Sequence, residues 1–106
     1  MLKKMITILT SVEHAEQAQQ ITNTLLQQRL AACIQQTSGT STYRWHGDIE
    51  QCEEFYLSIK TRVELKDTVI HCLQKHHPYD TPEIIVLEAQ ASSTYHAWLH
   101  SKTNKA

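Results

Sequence analysis

The most informative stretch of this 106-residue chain is ACIQQTSGTSTYRWHGDIEQCEEFYLSIKTR, residues 32–62. Its first half, Ala32 to His46, carries β-branched and aromatic residues and is interrupted only at Ser38-Gly39. In its second half, apolar and polar residues alternate from Phe55 to Arg62, which is typical of a half-buried strand. Gly47-Asp48 separates the halves and indicates a turn. The stretch therefore predicts a long β-hairpin, unless Ser38-Gly39 is a loop that folds the first half back.

Five further elements are predicted outside this hairpin. They are a strand that is apolar on both faces, an amphipathic helix of about 16 residues that Ser11 can cap, a helix that ends at the His77-Pro78 bond, a short apolar strand and a last short helix. The residues that define them are, in chain order, Met5–Thr10, Ala15–Leu26, Leu65–Leu73, Ile84–Leu87 and Tyr95–Leu99. The order β-α-β-β-α-β with right-handed crossovers predicts an α+β, ferredoxin-like βαββαβ sandwich. It has an extra C-terminal helix and forms one domain over residues 1–106.

Two features do not fit a sandwich that stands alone. The fifteen residues from Ala32 to His46 would span about 50 Å at ~3.3 Å each, whereas a compact chain of this length has a radius of gyration near ~13 Å. Both helices are expected on one face of the sheet, so Ile6, Ile8, Ile85 or their neighbours must point to the other face. A bare apolar face of that size usually marks an interface, and an oligomer would resolve both problems.

Composition excludes several classes of function. Ten basic and eleven acidic residues give a net charge of −1, so we expect neither a nucleic-acid nor a membrane partner held by charge. The apolar run Met5–Leu9 is too short for a signal peptide or a membrane span. The three cysteines contain no Cys-x-x-Cys motif, which favours free thiols in a reducing compartment and a cytoplasmic location.

Four motifs stand in order along the chain: RLAACI at 29–34, YRWHGDIE at 43–50, IKT at 59–61 and HHPYDTPEI at 76–84. Together they resemble the CutA family, the divalent-cation tolerance proteins, and the similarity runs in register from about Ile6 to Leu99. The resemblance implies a cytoplasmic homotrimer of ferredoxin-like subunits, similar in architecture to the PII signalling proteins. It also implies a role in heavy-metal tolerance, chiefly towards copper.

The adjacent histidines His76 and His77 are the first candidate metal ligands. Neutral imidazole binds copper, zinc and nickel, but neighbouring helical residues point about 100° apart, so the rings can converge only because Pro78 ends the helix. From spacing alone, the pair fits better as partial positive charge at a helix C-terminus. The resemblance implies that both bind copper or another divalent cation, together with a cysteine at the end of the first strand. This chain has Thr10 there, and a hydroxyl is a poorer copper ligand than a thiolate.

His96 and His100 are a second pair, spaced i and i+4 on the last helix, a spacing that can chelate a surface ion. No third ligand is apparent nearby in the sequence, so we interpret the pair as part of a solvated helix face.

A looser set comprises Trp45, Lys60, Tyr79 and Glu83. A cation, a phenol and a carboxylate beside an indole can line an inter-subunit cleft for a small anion. The alternative, which we favour slightly, is an interface network in which a buried lysine pairs with a carboxylate of another subunit.

No sequence feature indicates an enzyme. Cys33 and Cys72 are expected to be buried, and Cys52 lies beside acidic residues that raise a thiol pKa. The chain has two glycines, Gly39 and Gly47, too few for a dinucleotide or P-loop fingerprint. Two functions remain: a trimeric, copper-binding protein of metal tolerance, or a PII-like signalling or scaffold trimer that binds a small ligand at inter-subunit clefts.

Overall fold

The computed structural model describes residues 1–104. Its elements are strand β1 (Leu2–Val12), helix α1 (Ala15–Gln27), strands β2 (Cys33–Trp45) and β3 (Asp48–Thr61), a 3-10 turn (Val63–Leu65), helix α2 (Lys66–His76), strand β4 (Ile85–Ser92) and helix α3 (Ser93–Lys102). The strands form one antiparallel sheet in the order β2-β3-β1-β4. This architecture confirms the predicted α+β sandwich with its additional C-terminal helix.

The core lies between one face of the sheet and helices α1 and α2. Strands β1 and β3 contribute alternate apolar side chains and helices α1 and α2 contribute helically spaced ones, among them Ile6, Ile8, Val12, Ile21, Leu25, Leu57, Ile59, Val69 and Leu73. Helix α1 begins at Ala15, and the prediction that Ser11 caps it is wrong, because Ser11 remains in β1 opposite Tyr56. The residue before the helix is His14, whose backbone N–H donates a hydrogen bond to Oε1 of Gln17 at 3.2 Å.

Strands β2 and β3 form a hairpin that projects beyond the sheet. They pair along their whole length, from Cys33 opposite Lys60 to Trp45 opposite Asp48. Strand β1 ends opposite Phe55, so within residues 1–104 the segments 39–45 and 48–54 pair only with each other. The chain measures 47 × 26 × 21 Å as a result. The predicted overhang is therefore confirmed.

Ser38-Gly39 is part of strand β2 and does not form a loop that folds the first half of the hairpin back. Gly39 pairs with Glu54, and a Cβ at this position would lie 2.9 Å from Cε2 of Tyr56. Glycine thus makes room for the Tyr56 ring, whose hydroxyl lies 2.9 Å from Oγ of Ser41. The turn follows at His46 and Gly47, which have φ of 49° and 85°. Positive φ at both central residues is typical of a two-residue hairpin turn.

The sheet face opposite α1 and α2, which we call the outer face, is partly uncovered. Ile85 pairs with Leu9 on this face, and Ile85 and Leu87 are 45% and 46% exposed. Ile6 and Ile8 point instead into the core, where they are 2% and 0% exposed, so among Ile6, Ile8 and Ile85 it is Ile85 that meets the expectation of an apolar outer face. No helix within residues 1–104 is long and apolar enough to cross a membrane.

Helix α3 is fastened near the end of β3 by a buried arginine. Arg62 donates through Nε to Oγ1 of Thr103 at 2.9 Å and through Nη2 to the carbonyl of His100 at 2.7 Å. Arg29 donates to the carbonyl of Ser101 at 2.7 Å. Carbonyls at a helix C-terminus lack partners within the helix, so these arginines satisfy them and fix where α3 ends.

Candidate functional site

His77 lies just after α2 and is only 8% exposed. Its Nε2 lies 2.8 Å from the carbonyl oxygen of Ser11, and its Nδ1 lies 3.1 Å from the backbone nitrogen of Tyr79. Since the Tyr79 N–H donates, Nδ1 carries the lone pair, so Nε2 carries the proton and donates to Ser11. Both ring nitrogens of His77 are therefore used within the chain.

The electrostatic environment keeps this ring neutral. Burial lowers the pKa of His77, and the hydrogen bond to Ser11 and the charge of Glu54 oppose that shift only partly. His76, the last residue of α2, is exposed. The structure thus places the two histidines in different environments. A metal ion at His77 would have to displace the bond to Ser11 or the bond to Tyr79, and metal binding by the pair stays a prediction.

Thr10 occupies the position of the cysteine ligand that the resemblance implies. It is 1% exposed, and its Oγ1 has no hydrogen-bond partner within residues 1–104. A buried hydroxyl without a partner costs free energy. Across the same residues, no group of three or more histidine, cysteine, aspartate or glutamate side chains is placed to hold one metal ion.

Tyr79 reaches the base of the projecting hairpin. Its hydroxyl donates to Oε2 of Glu54 at 2.8 Å, and Glu54 is 8% exposed. Burial is the largest cause that raises the pKa of Tyr79, followed by this hydrogen bond and the nearby carboxylate charge. Glu54 is a site residue that the sequence does not reveal. Glu53 and Glu54 are chemically similar, and only the tertiary structure brings Glu54 to Tyr79.

The four residues predicted to line a cleft do not converge within one chain. Trp45 lies opposite Asp48 and Lys60 lies twelve residues further along β3, a separation of about 40 Å at ~3.3 Å per residue. Tyr79 lies between them, near Glu54, and Glu83 is exposed. Only an assembly of several chains could bring these four side chains together, so the inter-subunit cleft stays a prediction.

Lys60 itself lies on the outer face. It is half-buried and lines a shallow cavity of about 390 Å³ with Thr7, Met5 and Tyr95. No carboxylate within the described part of the chain lies within 4.0 Å of its ammonium group. A half-buried lysine without a counter-ion favours a partner or an anion from outside this chain.

His96 and His100 are brought together on α3. Their ring centroids are 4.0 Å apart and their planes are tilted by 34°.

Comparisons with known proteins agree on one family. The family model described as CutA1 divalent ion tolerance protein matches residues 6–102. A divalent-cation tolerance protein CutA from Salmonella newport is 37% identical over 98 residues, which cover 91% of this chain and 85% of that protein.

Solved structures give the same result. CutA1 from Pyrococcus horikoshii superimposes with a TM-score of 0.92 at 32% identity, covering 95% of this chain and 100% of that one. The periplasmic divalent cation tolerance protein CutA from Archaeoglobus fulgidus superimposes with a TM-score of 0.88 at 28% identity, covering 94% and 98%.

Proposed function

Since this chain belongs to the CutA1 divalent ion tolerance family, we propose that it serves divalent-cation tolerance as a homotrimer that binds copper or another divalent cation. The observation that carries the family is the match over residues 6–102 together with the shared fold. The family name states neither the trimer nor the cytoplasmic location, and it names no particular metal.

The projecting hairpin supports the homotrimer. Residues 39–45 and 48–54 form a two-stranded ribbon whose edges are unpaired in the described part of the chain, and such edges tend to pair with another chain. Trp45 and Ile49 on this ribbon are 54% and 61% exposed. If each hairpin extends the sheet of a neighbour, a closed ring satisfies every edge and encloses the apolar outer faces.

The metal site is supported by the histidines that the resemblance singles out. His76 is exposed and available, and His77 becomes a ligand only if one of its two hydrogen bonds opens. Because Thr10 supplies a hydroxyl where the copper-associated pattern has a thiolate, we expect binding in the micromolar range, which corresponds to about −8 kcal/mol.

The two hydrogen bonds of the His77 ring favour a second candidate function, because they occupy both of its nitrogens. If its hydrogen bonds are maintained, the chain acts instead as a PII-like signalling or scaffold trimer that takes a small ligand at inter-subunit clefts. The unpaired Lys60 on the outer face supports an anionic ligand. In both functions we propose that the chain is cytoplasmic and not an enzyme.

Calorimetry on the metal-free protein separates the two functions. Copper, zinc and a panel of nucleotides are titrated in turn into the wild type and into a His76→Ala variant. The first function predicts a metal-binding event of one ion per subunit that depends on His76 and is lost in the variant. Nucleotide binding that survives in the variant, without a metal event that depends on His76, would favour the signalling trimer.

A further inference from the structure

The histidine pair on α3 has the geometry of a chelating site. His96 and His100 are four residues apart and therefore neighbours on the helix surface. Their ring centroids lie 4.0 Å apart. Two nitrogens that each lie about 2.1 Å from one ion are about 3 Å apart when the angle at the metal is near ~90°. Small side-chain rotations of rings so close can reach that separation.

The nitrogens of this pair are available, unlike those of His77. Neither ring forms a hydrogen bond or ion pair with any other part of residues 1–104, and both rings are partly exposed. Burial lowers the pKa of His100, and the charges of Arg62 and His96 lower it further, against an opposing effect of Glu64. Neutral imidazole is the form that binds metal.

The helix that carries the pair is held firmly. Leu99, between the two histidines, is fully buried, and Arg62 binds the His100 carbonyl. The guanidinium of Arg62 also lies 3.8 Å from the Glu64 carboxylate, which offsets its repulsion of a cation. A fixed backbone lowers the entropy lost when the rings close on an ion.

We propose that His96 and His100 form a second metal site, which chelates one Cu²⁺, Ni²⁺ or Zn²⁺ ion through two imidazole nitrogens while water fills the other positions. Imidazole selects these ions over Mg²⁺ and Ca²⁺, which prefer oxygen ligands. The site deepens the proposed metal role and rests on it for its biological meaning. Its chemistry depends only on α3.

Titration calorimetry with Ni²⁺ alone tests the site. The variant His96→Gln is expected to weaken the binding event by about tenfold or more. A matched control combines His96→Gln with Lys102→His, which keeps two imidazoles on α3 but places them two residues apart, where they do not face each other. This control should bind as weakly as His96→Gln alone, and His76→Gln should leave the binding event that depends on His96 unchanged.

Circular dichroism confirms that each variant is folded before titration. Unchanged Ni²⁺ affinity in folded His96→Gln would overturn the site, as would full recovery by the Lys102→His control. A separate experiment tests the proposed function: the wild-type chain is expressed in a strain that lacks its own copy of the gene. No gain in copper tolerance, with Ni²⁺ binding at α3 intact, would refute the proposed function and leave the α3 site standing.

Discussion

The hydroxyl of Tyr79 donates a hydrogen bond to Oε2 of Glu54 at 2.8 Å and so joins the segment after α2 to the base of the projecting hairpin. Glu54 is buried and Tyr79 is half-buried, and the bond has a charged acceptor, which makes it stronger than a bond between neutral groups. It therefore couples the region of the candidate histidines to the part of the chain proposed to bind neighbouring subunits.

Removing this hydroxyl should destabilise the protein. We expect Tyr79→Phe to lower the free energy of unfolding by about 1–3 kcal/mol, because Glu54 is left buried with one partner fewer. Urea denaturation at fixed protein concentration measures the change. Tyr43→Phe is the control, since Tyr43 is exposed and its hydroxyl lies 3.9 Å from the sulfur of Cys52. Equal effects of the two substitutions would contradict a special role for the Glu54 bond.

The stability of the protein should depend on the protonation of His77. Burial lowers its pKa in the folded state below the unfolded value of about 6.5. The stability that neutral His77 contributes is therefore fully present above the pKa of the unfolded state and is lost as pH falls through the pKa of the folded state. Urea denaturation measures the free energy of unfolding of the wild type and of His77→Gln. We expect the wild type to be the more stable of the two by a larger margin at pH 7.5 than at pH 5. A difference that is the same at both pH values would exclude this role.

Trp45 should matter for assembly more than Trp98 does. Trp45 lies at the hairpin tip, 54% exposed in one chain, and Trp98 lies on α3, 41% exposed. If the trimer buries the tip, Trp45→Ala lowers the melting temperature and promotes dissociation more than Trp98→Ala. Sedimentation equilibrium at micromolar concentration should give three times the monomer mass for the wild type. A wild-type monomer under these conditions would refute the trimer.

Arg62 should hold α3 in place. Arg62→Ala removes its hydrogen bonds to Thr103 and to the His100 carbonyl, and we expect a loss of about 2–4 kcal/mol. Hydrogen exchange should accelerate in α3 before it accelerates in the core strands. The exposed Lys75→Ala is the control, with a change within about 0.5 kcal/mol. Unchanged exchange in α3 of the Arg62 variant would show that the helix is held by its apolar contacts alone.

Thr10 offers two opposite substitutions. Its Oγ1 is buried without a partner within residues 1–104, so Thr10→Val should raise the free energy of unfolding, by up to about 1 kcal/mol. Thr10→Cys should tighten copper binding if the end of β1 belongs to the metal site, since thiolate is the better ligand. Calorimetry with copper measures the second effect. Equal copper affinity of the wild type and Thr10→Cys would separate Thr10 from the metal site.

The sequence alone determined the order of the elements and the hairpin. Alternation from Phe55 to Arg62 and the turn at Gly47-Asp48 are local patterns, and local patterns report directly on backbone conformation. The end of α2 is equally local, because Pro78 prevents its continuation. The motifs that resemble the CutA family added the expectation of a trimer and of metal ligands.

Only the tertiary structure decided which groups meet. Met5–Thr10 is apolar on both faces, so its period of two cannot show that Ile6 and Ile8 point to the helices; packing settles this. In the sequence Gly39 indicates an interruption of the strand, whereas in the fold it makes room for the ring of Tyr56. The residues next to His77 leave its ring free to bind a metal ion, but in the fold its Nε2 donates a hydrogen bond to the carbonyl oxygen of Ser11, 66 residues away. Each outcome depends on contacts between distant segments, and the pattern of neighbouring residues carries no information about such contacts.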